Sequence, residues 1–324
     1  AQWSIAGGPY NVVDNSIVSS GTLTIDAGAE IVVSTDKSLT VRNTIRVEGT
    51  TLSPVIFQGV LGSTDTSSNQ LLVMSKTDLS FSKITHAHFK NAGTCLRLNG
   101  DTSEHNPGDK NSGTLVVTYS TFENCNIHTK GYSAGDALQF HHSIFKSVKF
   151  TGHYPESESI ELYNSAIMDS TLNHDSYHKG FILETCVVHR SSFTDGCCNP
   201  GFQLKKSSFF SCTMSVDGLI EDSVVTDSMV TGTSNSGVTI RRSVFNVSNV
   251  AALPKYQDYS NHMSGGTLQT PTDLIIGNVL TIEDSRIECG GTAAGTIGGH
   301  KQSNGQGSST STITNVDFVS CSPA

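Results

Sequence analysis

A repeat with a period of about 21 residues constrains the fold of this chain more than any other feature of its sequence. From about residue 78 onward, a small residue recurs inside segments such as QFHHSIF (139–145) and TIRRSVF (239–245). Most of these small residues, called anchors below, follow one another at 16 to 23 residues, and the 42 residues from Ser243 to Ser285 indicate two periods. A fixed period of this length is typical of a solenoid. The anchors are Ala87, Ser120, Ser143, Ser165, Cys186, Ser207, Ser223, Ser243, Ser285 and Val316.

Apolar residues recur at three fixed distances from the anchors. One row lies three residues before each anchor, a second lies two residues after it, and a third lies seven residues after it. Rows of like residues that recur once per period predict parallel strands stacked about 4.8 Å apart around an apolar core. The sequence therefore predicts an all-β fold, a right-handed single-stranded parallel β-helix with about 20–23 residues per coil. The anchor serines are interpreted as small inward residues at a corner, with hydroxyls bonded to the backbone.

The first part of the chain extends this pattern with strands that alternate apolar and polar residues between Gly turns, as in GTLTI (21–25) and PVIF (54–57). The whole pattern resembles secreted right-handed parallel β-helix proteins of the pectin-lyase-like kind. The resemblance implies an architecture that supports many functions, and it matches no specific family. We expect one domain over 1–324, with N-terminal coils over 1–77, regular coils over 78–250, and C-terminal coils with long loop insertions over 251–324.

Charge and hydropathy restrict the partners and the compartment. The chain has 20 Lys and Arg against 29 Asp and Glu, and its formal net charge of −9 disfavours a nucleic acid as partner. No apolar run approaches the roughly 20 residues of a membrane-spanning helix, so membrane insertion is not expected. The start at Ala1 without Met fits a secreted, extracellular chain that has lost a signal peptide. Asn246 begins the sequon Asn-Val-Ser and is the expected glycosylation site.

The cysteines indicate disulfides. Eight cysteines without paired C-x-x-C spacing favour disulfides over zinc, so neither a metal nor a cofactor is expected. We expect Cys95 to pair with Cys125, Cys289 with Cys321, and Cys212 with Cys197 or Cys198. Cys186 occupies an anchor position and is expected to be buried.

Outward residues two positions before the anchors supply candidate catalytic residues. Lyase chemistry on uronic sugars needs a cation to neutralise the carboxylate and a base to take the C5 proton, and this row contains such side chains. Acidic and basic residues alternate along part of the row, which favours a solvent-facing ladder of ion pairs instead. The catalytic signatures of polygalacturonases and pectate lyases are missing. The candidates are His141, Tyr163, Glu184, Lys205 and Arg241, and the expected ladder comprises Glu184, Lys205, Glu221 and Arg241.

Two further outward rows, one and three residues after the anchors, carry an apolar stripe. Soluble proteins seldom expose such a stripe, so either the insertion at 251–278 or another protein is expected to cover it. The stripe comprises Ile144, Ala166, Met168, Val187, Phe210, Val224 and Val244.

These patterns lead to three hypotheses of function. The leading hypothesis is an extracellular structural or interaction protein without an active site, which binds itself or another extracellular protein through the stripe or the coil ends. The alternative is a carbohydrate-active β-helix, either a polysaccharide-binding module or an atypical lyase or hydrolase. An ice-binding protein is a minor alternative, because Thr-x-Thr motifs occur but not in register over successive coils.

Overall fold

The structure is a computed structural model that describes residues 1–60, 69–75, 79–99, 113–130, 137–153, 159–175, 180–195, 202–215, 218–232, 238–246, 249–252, 261–264, 267–270, 280–289 and 312–319. The chain divides into two units, Ala1–Lys179 and Gly180–Ala324. A single domain over 1–324 therefore stays a prediction.

Both units consist of short β-strands. The first unit contains β1 (Gln2–Trp3), β2 (Tyr10–Val12), β3 (Ser16–Val18), β4 (Thr22–Asp26), β5 (Glu30–Val33), β6 (Ser38–Val41), β7 (Thr44–Glu48), β8 (Val55–Gly59), β9 (Gln70–Ser75), β10 (Lys83–Thr85), β11 (Ala87–Lys90), β12 (Thr94–Asn99), β13 (Thr114–Thr118), β14 (Thr121–Lys130), β15 (Ala137–His141), β16 (Ile144–His153), β17 (Ser159–Tyr163), β18 (Ala166–Met168) and β19 (Thr171–Asp175). The second unit contains β20 (Phe181–Glu184), β21 (Val187–His189), β22 (Ser192–Asp195), β23 (Phe202–Lys205), β24 (Ser208–Phe210), β25 (Thr213–Ser215), β26 (Gly218–Glu221), β27 (Val224–Thr226), β28 (Met229–Gly232), β29 (Val238–Arg241), β30 (Val244–Asn246), β31 (Asn249–Ala252), β32 (Asn261–Ser264), β33 (Thr267–Thr270), β34 (Leu280–Cys289) and β35 (Thr312–Val319).

Helix is limited, within the described residues, to two 3-10 turns at Ile5–Gly7 and Leu79–Phe81. No helix in that part of the chain has the length and apolar character needed to cross a membrane.

Each strand pairs in parallel with the strand one coil away, and like residues meet in register. In the first unit, the row three residues before the anchors is continuous and buried, and it consists of Ile25, Val47, Ile84, Val117, Phe140 and Leu162. In the second unit, the backbone register of the same row continues through Leu183, Leu204, Ile220, Ile240, Met263, Ile282 and Ile313. The predicted fold class, an all-β parallel β-helix, is confirmed in both units.

Aromatic rings stack along the core of the first unit because the register places them one above another. Phe57, Phe89, Phe122 and Phe145 are fully buried. The ring centroids lie 4.5 Å apart for Phe57 and Phe89, 4.8 Å for Phe89 and Phe122, and 5.3 Å for Phe122 and Phe145, with nearly parallel planes. Such aromatic pairs contribute about 0.5–1.5 kcal/mol each beyond the burial of their apolar area. The row two residues after the anchors therefore stabilises both the core and the register.

From β10 to β28, each coil has two corners within the described residues, and each of these corners is a single residue in the left-handed conformation. The first corner residue directly precedes the anchor, as at Tyr119 (φ 52°) and Asn164 (φ 50°). The second follows a few residues later, as at Asn124 (φ 52°) and Asp169 (φ 51°). This conformation is unfavourable by about 1–3 kcal/mol for most side chains, but Asn, Asp and His tolerate it best, and these types recur at the corners.

The residue after each of these corners is buried, and serine hydroxyls at this position join two coils. Ser143 is 1% exposed; its Oγ donates to the carbonyl of His141 at 3.1 Å and accepts from the backbone N–H of Ser120 at 3.3 Å. In the second unit the Oγ of Ser207 accepts from the N–H of Cys186 at 3.0 Å. The interpretation of the anchor serines as structural corner residues is confirmed for those from Ser120 to Ser243, and the side chain of Ser285 lies outside the described residues.

The cysteines follow the prediction in part. A disulfide joins Cys95 and Cys125, whose Cα atoms are 5.6 Å apart on the neighbouring strands β12 and β14. Cys186 is a buried thiol, as predicted. Cys321 and the side chain of Cys289 lie outside the described residues, so the Cys289–Cys321 bridge stays a prediction; Cys197 and Cys198 also lie outside them.

The predicted disulfide at Cys212 is wrong, because the structure places a free, buried thiol there. Cys212 follows the corner residue Ser211, and its Sγ donates to the carbonyl of Phe210 at 3.3 Å. Its backbone N–H donates to Ser228 Oγ at 2.9 Å, as at the serine corners. Burial raises the pKa of the Cys212 thiol, which keeps it protonated. Cys212 therefore takes the structural place of a corner serine.

The hydroxyl ladder predicts unequal effects of two adjacent serines. Ser207 is 2% exposed and bridges two coils, whereas Ser208 lies on the outward side of β24. Ser207→Ala leaves the buried N–H of Cys186 without an acceptor and is expected to lower the free energy of unfolding by about 1–3 kcal/mol. Ser208→Ala is the matched control and is expected to change it by less than about 0.5 kcal/mol. Equal effects of the two substitutions in urea-induced unfolding would contradict a structural role for the ladder.

Candidate functional site

The five predicted catalytic residues fall into two groups. His141 and Tyr163 lie in the first unit, directly opposite each other on β15 and β17. Glu184, Lys205 and Arg241 lie in the second unit at the same outward position of their strands. The two groups therefore belong to different units.

The group in the second unit forms ion pairs, but not between the predicted cations and acids. Lys206 Nζ lies 2.7 Å from Glu184 Oε1, and Arg242 lies 2.9 Å from Glu221 and 2.7 Å from Asp222. The ladder expected from Lys205 and Arg241 is therefore displaced by one residue. The pairing cations are the left-handed corner residues, whose side chains reach back to the preceding coil.

Of the two basic residues predicted in this group, Arg241 is exposed and Lys205 has a local partner. Lys205 donates to Gln203 Oε1 on its own strand at 2.9 Å. The hydrogen bond from Arg242 lowers the pKa of Asp222, and the hydrogen bond to Glu184 raises the pKa of Lys206, so both pairs remain ionised near neutral pH. Exposed pairs of this kind contribute little to stability, and their charges are already matched. This surface offers no unpaired reactive group among Glu184, Lys205 and their partners.

In the first unit, a carboxylate organises the outward surface of β15 and β17. Glu161 Oε2 accepts hydrogen bonds from Gln139 Nε2 at 2.8 Å and from the hydroxyl of Tyr163 at 2.9 Å. Glu161 Oε1 accepts from Ser159 Oγ at 2.7 Å. The ring of Tyr163 stacks on that of His141, with centroids 4.8 Å apart. These contacts fix the orientation of the carboxylate and of both rings.

A second stack of rings lies at the adjacent corner. Tyr119 is stacked between two imidazoles, with centroids 5.0 Å from His86 and 4.9 Å from His142. Tyr119 is 52% exposed, and His86 Nε2 lies 3.1 Å from Thr51 Oγ1. Because His141 and His142 are consecutive residues, the two stacks adjoin. The aromatic strip is defined as His86, Tyr119, His141, His142 and Tyr163.

Most of this surface was not predicted from the sequence. His86, Tyr119 and His142 occupy the position directly before the anchor, where the sequence alone does not show that a left-handed corner turns each side chain outward. Three ring-bearing residues at that position in successive coils are a signal that could have identified the stack. Glu161 lies four residues before its anchor, next to the predicted row. The Nδ1 of His86 is buried.

Burial and nearby charges determine the protonation of His141, at the centre of the aromatic strip. Desolvation lowers the pKa of His141, the charge of His142 lowers it further, and the charge of Glu161 raises it. The imidazole of His141 is therefore neutral at pH 7 and has one nitrogen that donates and one that accepts. The strip thus combines ring faces, a neutral imidazole, a phenol and a carboxylate.

The predicted apolar stripe is partly exposed in both units. Ile144 is 44% exposed and lies opposite Ala166 in the first unit. In the second unit Val187 is 52% exposed and Val224 is 36% exposed, and both lie in one register row with Val244. Met168, Phe210, Ala166 and Val244 are partly buried.

The predicted glycan and the predicted cover of the apolar stripe fall on side chains and segments that the structure does not describe. The side chain of Asn246 and most of the insertion at 251–278 lie outside the described residues. The glycan and the covering of the stripe are therefore untested. Within the described ranges, no three His, Cys, Asp or Glu side chains form a group that could hold a metal ion.

Comparisons with known proteins yield similar solved structures only. No family model matches the chain, and no curated protein matches it. The chain is similar to the GH136 lacto-N-biosidase from Eubacterium ramulus, with a TM-score of 0.31 and 8% identity, over 99% of this chain and 63% of that one. It is also similar to a double mutant of a periplasmic alginate epimerase, with a TM-score of 0.26 and 10% identity, over 98% of this chain and 84% of that one. Both TM-scores are below 0.5, so neither similarity supports a function.

The environment of His141 predicts how its pKa responds to its neighbours. Glu161→Gln removes the negative charge that raises the pKa of His141, so the pKa is expected to fall further. His142→Gln removes a positive charge that lowers it, so the pKa is expected to rise. Glu123→Gln, at a carboxylate paired with Lys146, is the matched control and should leave it unchanged. Titration of the His141 Hε1 proton by NMR measures all three, and a rise in Glu161→Gln would contradict the described geometry.

Proposed function

We propose that the first unit binds a carbohydrate chain along the aromatic strip. The observation that carries this proposal is the continuity of five rings from four neighbouring coils beside the oriented carboxylate of Glu161. Sugars present C–H groups on one face and hydroxyls at their edges. The electron-rich faces of the rings attract the C–H groups, and carboxylate, amide and imidazole groups bind the hydroxyls.

The spacing of the strip fits an extended ligand. Successive strands in a sheet lie about 4.8 Å apart, so three steps from the coil of His86 to that of Tyr163 span about 14 Å. Tyr119, one step from the coil of His86, exposes half of its surface. A surface of this length and shallow shape binds a chain better than a compact molecule, which a closed pocket would enclose.

The strip binds rather than catalyses in this proposal. Both oxygens of Glu161 are occupied by hydrogen bonds, and no second carboxylate shares its immediate contacts among the described residues. Hydrolysis of a glycosidic bond usually requires two carboxyl groups on either side of that bond. In this proposal the strip binds the carbohydrate without cleaving it, and the role of Glu161 is to accept hydrogen bonds and to orient Tyr163.

The disulfide supports an oxidising compartment as the place of this function. The Cys95–Cys125 bridge joins two coils of the first unit, and such structural disulfides persist outside the reducing cytosol. We therefore propose a secreted or otherwise non-cytoplasmic location, where polysaccharides and glycoproteins are accessible.

Binding to a glycan array, followed by calorimetry with the strongest ligand, tests the proposal. Tyr119→Leu and Tyr163→Leu each remove one ring from the strip and are expected to weaken binding by about tenfold or more, equivalent to about 1.4 kcal/mol. Phe81→Leu is the matched control, since Phe81 is an exposed aromatic residue (65%) outside the strip. Binding that neither tyrosine substitution weakens, or no binding to any glycan of the array, would contradict the proposal.

A second candidate function, association through the apolar stripe, is favoured by the exposure of Val187 and Val224. We expect light scattering of the native protein to give a multiple of 34.4 kDa if this surface mediates self-association. Val187→Lys combined with Val224→Lys should then reduce the mass to 34.4 kDa, because burying two cations in an apolar contact is unfavourable. Thr213→Lys, at an exposed residue of β25, is the control. A wild-type monomer at every concentration would exclude this function.

A further inference from the structure

A partly buried arginine has no partner among the described residues and lies on a different row of paired strands of the first unit from the aromatic strip. Arg97 belongs to β12, between the buried residues Leu96 and Leu98, so its side chain leaves the core on the outward side. In register it lies between Val73 of β9 and His128 of β14. Val73 is only 6% exposed, so Arg97 emerges beside an apolar wall.

The guanidinium of Arg97 makes no hydrogen bond and no ion pair with the described residues. Its Nε is buried and has no acceptor. The outward positions nearest to it in register carry Val73 and His128, and Asn126 lies two residues before His128 on the same strand. None of these side chains is a carboxylate. Lys149 lies opposite Asn126 on the following coil and adds a second cation to this surface.

A buried cation without a counter-charge is uncommon, because the loss of hydration is normally compensated by a charged or hydrogen-bonded partner. Desolvation accordingly lowers the pKa of Arg97, although a guanidinium remains protonated at any physiological pH. Its five N–H donors form a planar fork that matches the two oxygens of a carboxylate. The two terminal nitrogens of such a fork can each donate one N–H to one of the two oxygens.

We propose that Arg97 is the centre of a carboxylate-binding site on the sheet formed by β9, β12 and β14. Arg97 binds the two carboxylate oxygens through one N–H of each terminal nitrogen, because its Nε is buried, and Lys149, two coils further along, attracts the anion at longer range. Val73 shields the pair from water and thereby strengthens it. The proposal is independent of the aromatic strip, since none of these residues belongs to it. The carboxylate comes either from a small free acid or from the acidic sugar of a longer chain.

The Nε–H resonance of Arg97 in 15N-labelled full-length protein tests this site. Burial of Nε slows the exchange of its proton with water, so the signal is expected to be visible, and its absence from the spectrum of Arg97→Lys assigns it. Sodium acetate probes the free acid, sodium glucuronate probes the acidic sugar, and sodium chloride at equal ionic strength is the control. The expected result is a saturable shift of this resonance with acetate or glucuronate, with a Kd on the order of 1 mM or lower, and no saturable shift with chloride.

Variants separate a specific site from general attraction to cations. Arg46→Gln removes an exposed arginine on another row of paired strands of the same unit and is the matched control, so it should retain the shift of the Arg97 resonance. Lys149→Gln should weaken binding by a few-fold and leave the site intact. Saturation with glucuronate but not acetate identifies the sugar as the source, and saturation with both identifies the carboxylate alone as sufficient. A shift that does not saturate, or one that chloride reproduces, would overturn the proposal.

Discussion

The fixed register between successive coils is the constraint on which the rest of this structure depends. Backbone hydrogen bonds between parallel strands hold the coils together, but a slip of one residue would exchange every inward and outward side chain. Two features oppose such a slip. The left-handed corner residue fixes where each strand ends, and the inward hydroxyl after it, as at Ser143, bonds to the backbone of two coils. A net contribution of about 0.5–1.5 kcal/mol per hydrogen bond, repeated in each coil, gives the register a substantial stability.

Once the register is fixed, the residues at the same position of successive coils form a row, and like side chains in a row stack on one another. Inside the first unit the rows become stacks of phenylalanine rings, from Phe57 to Phe145. On the outside the same geometry stacks Tyr119 between His86 and His142, and Tyr163 on His141. The surface that we propose to bind carbohydrate thus results from the same periodicity as the core. A solenoid presents such rows to extended ligands more readily than it builds a closed pocket.

The periodic part of the structure could be predicted from the sequence, because rows of apolar residues identify strands and their register. The Cys95–Cys125 bridge followed from the same rows. The wrong predictions concern side chains whose contacts depend on the local backbone conformation. Lys206 and Arg242 are left-handed corner residues, and for that reason they form the ion pairs of the second unit in place of Lys205 and Arg241. Cys212 was assigned a disulfide because a sequence does not distinguish a bridging thiol from one that replaces a corner serine. Glu161 was missed because its importance lies in three contacts from other residues.

The central claim, that the coil register brings rings from separate coils into one strip, can be measured directly through ring-current shifts of the histidine protons. The account predicts that the ring protons of His86 and His142 resonate upfield because Tyr119 stacks between them, and that both return toward free-histidine positions in Tyr119→Leu. The ring protons of His141 should respond to Tyr163→Leu instead. Histidine resonances that none of these substitutions shifts would contradict the register, and with it the proposed binding surface.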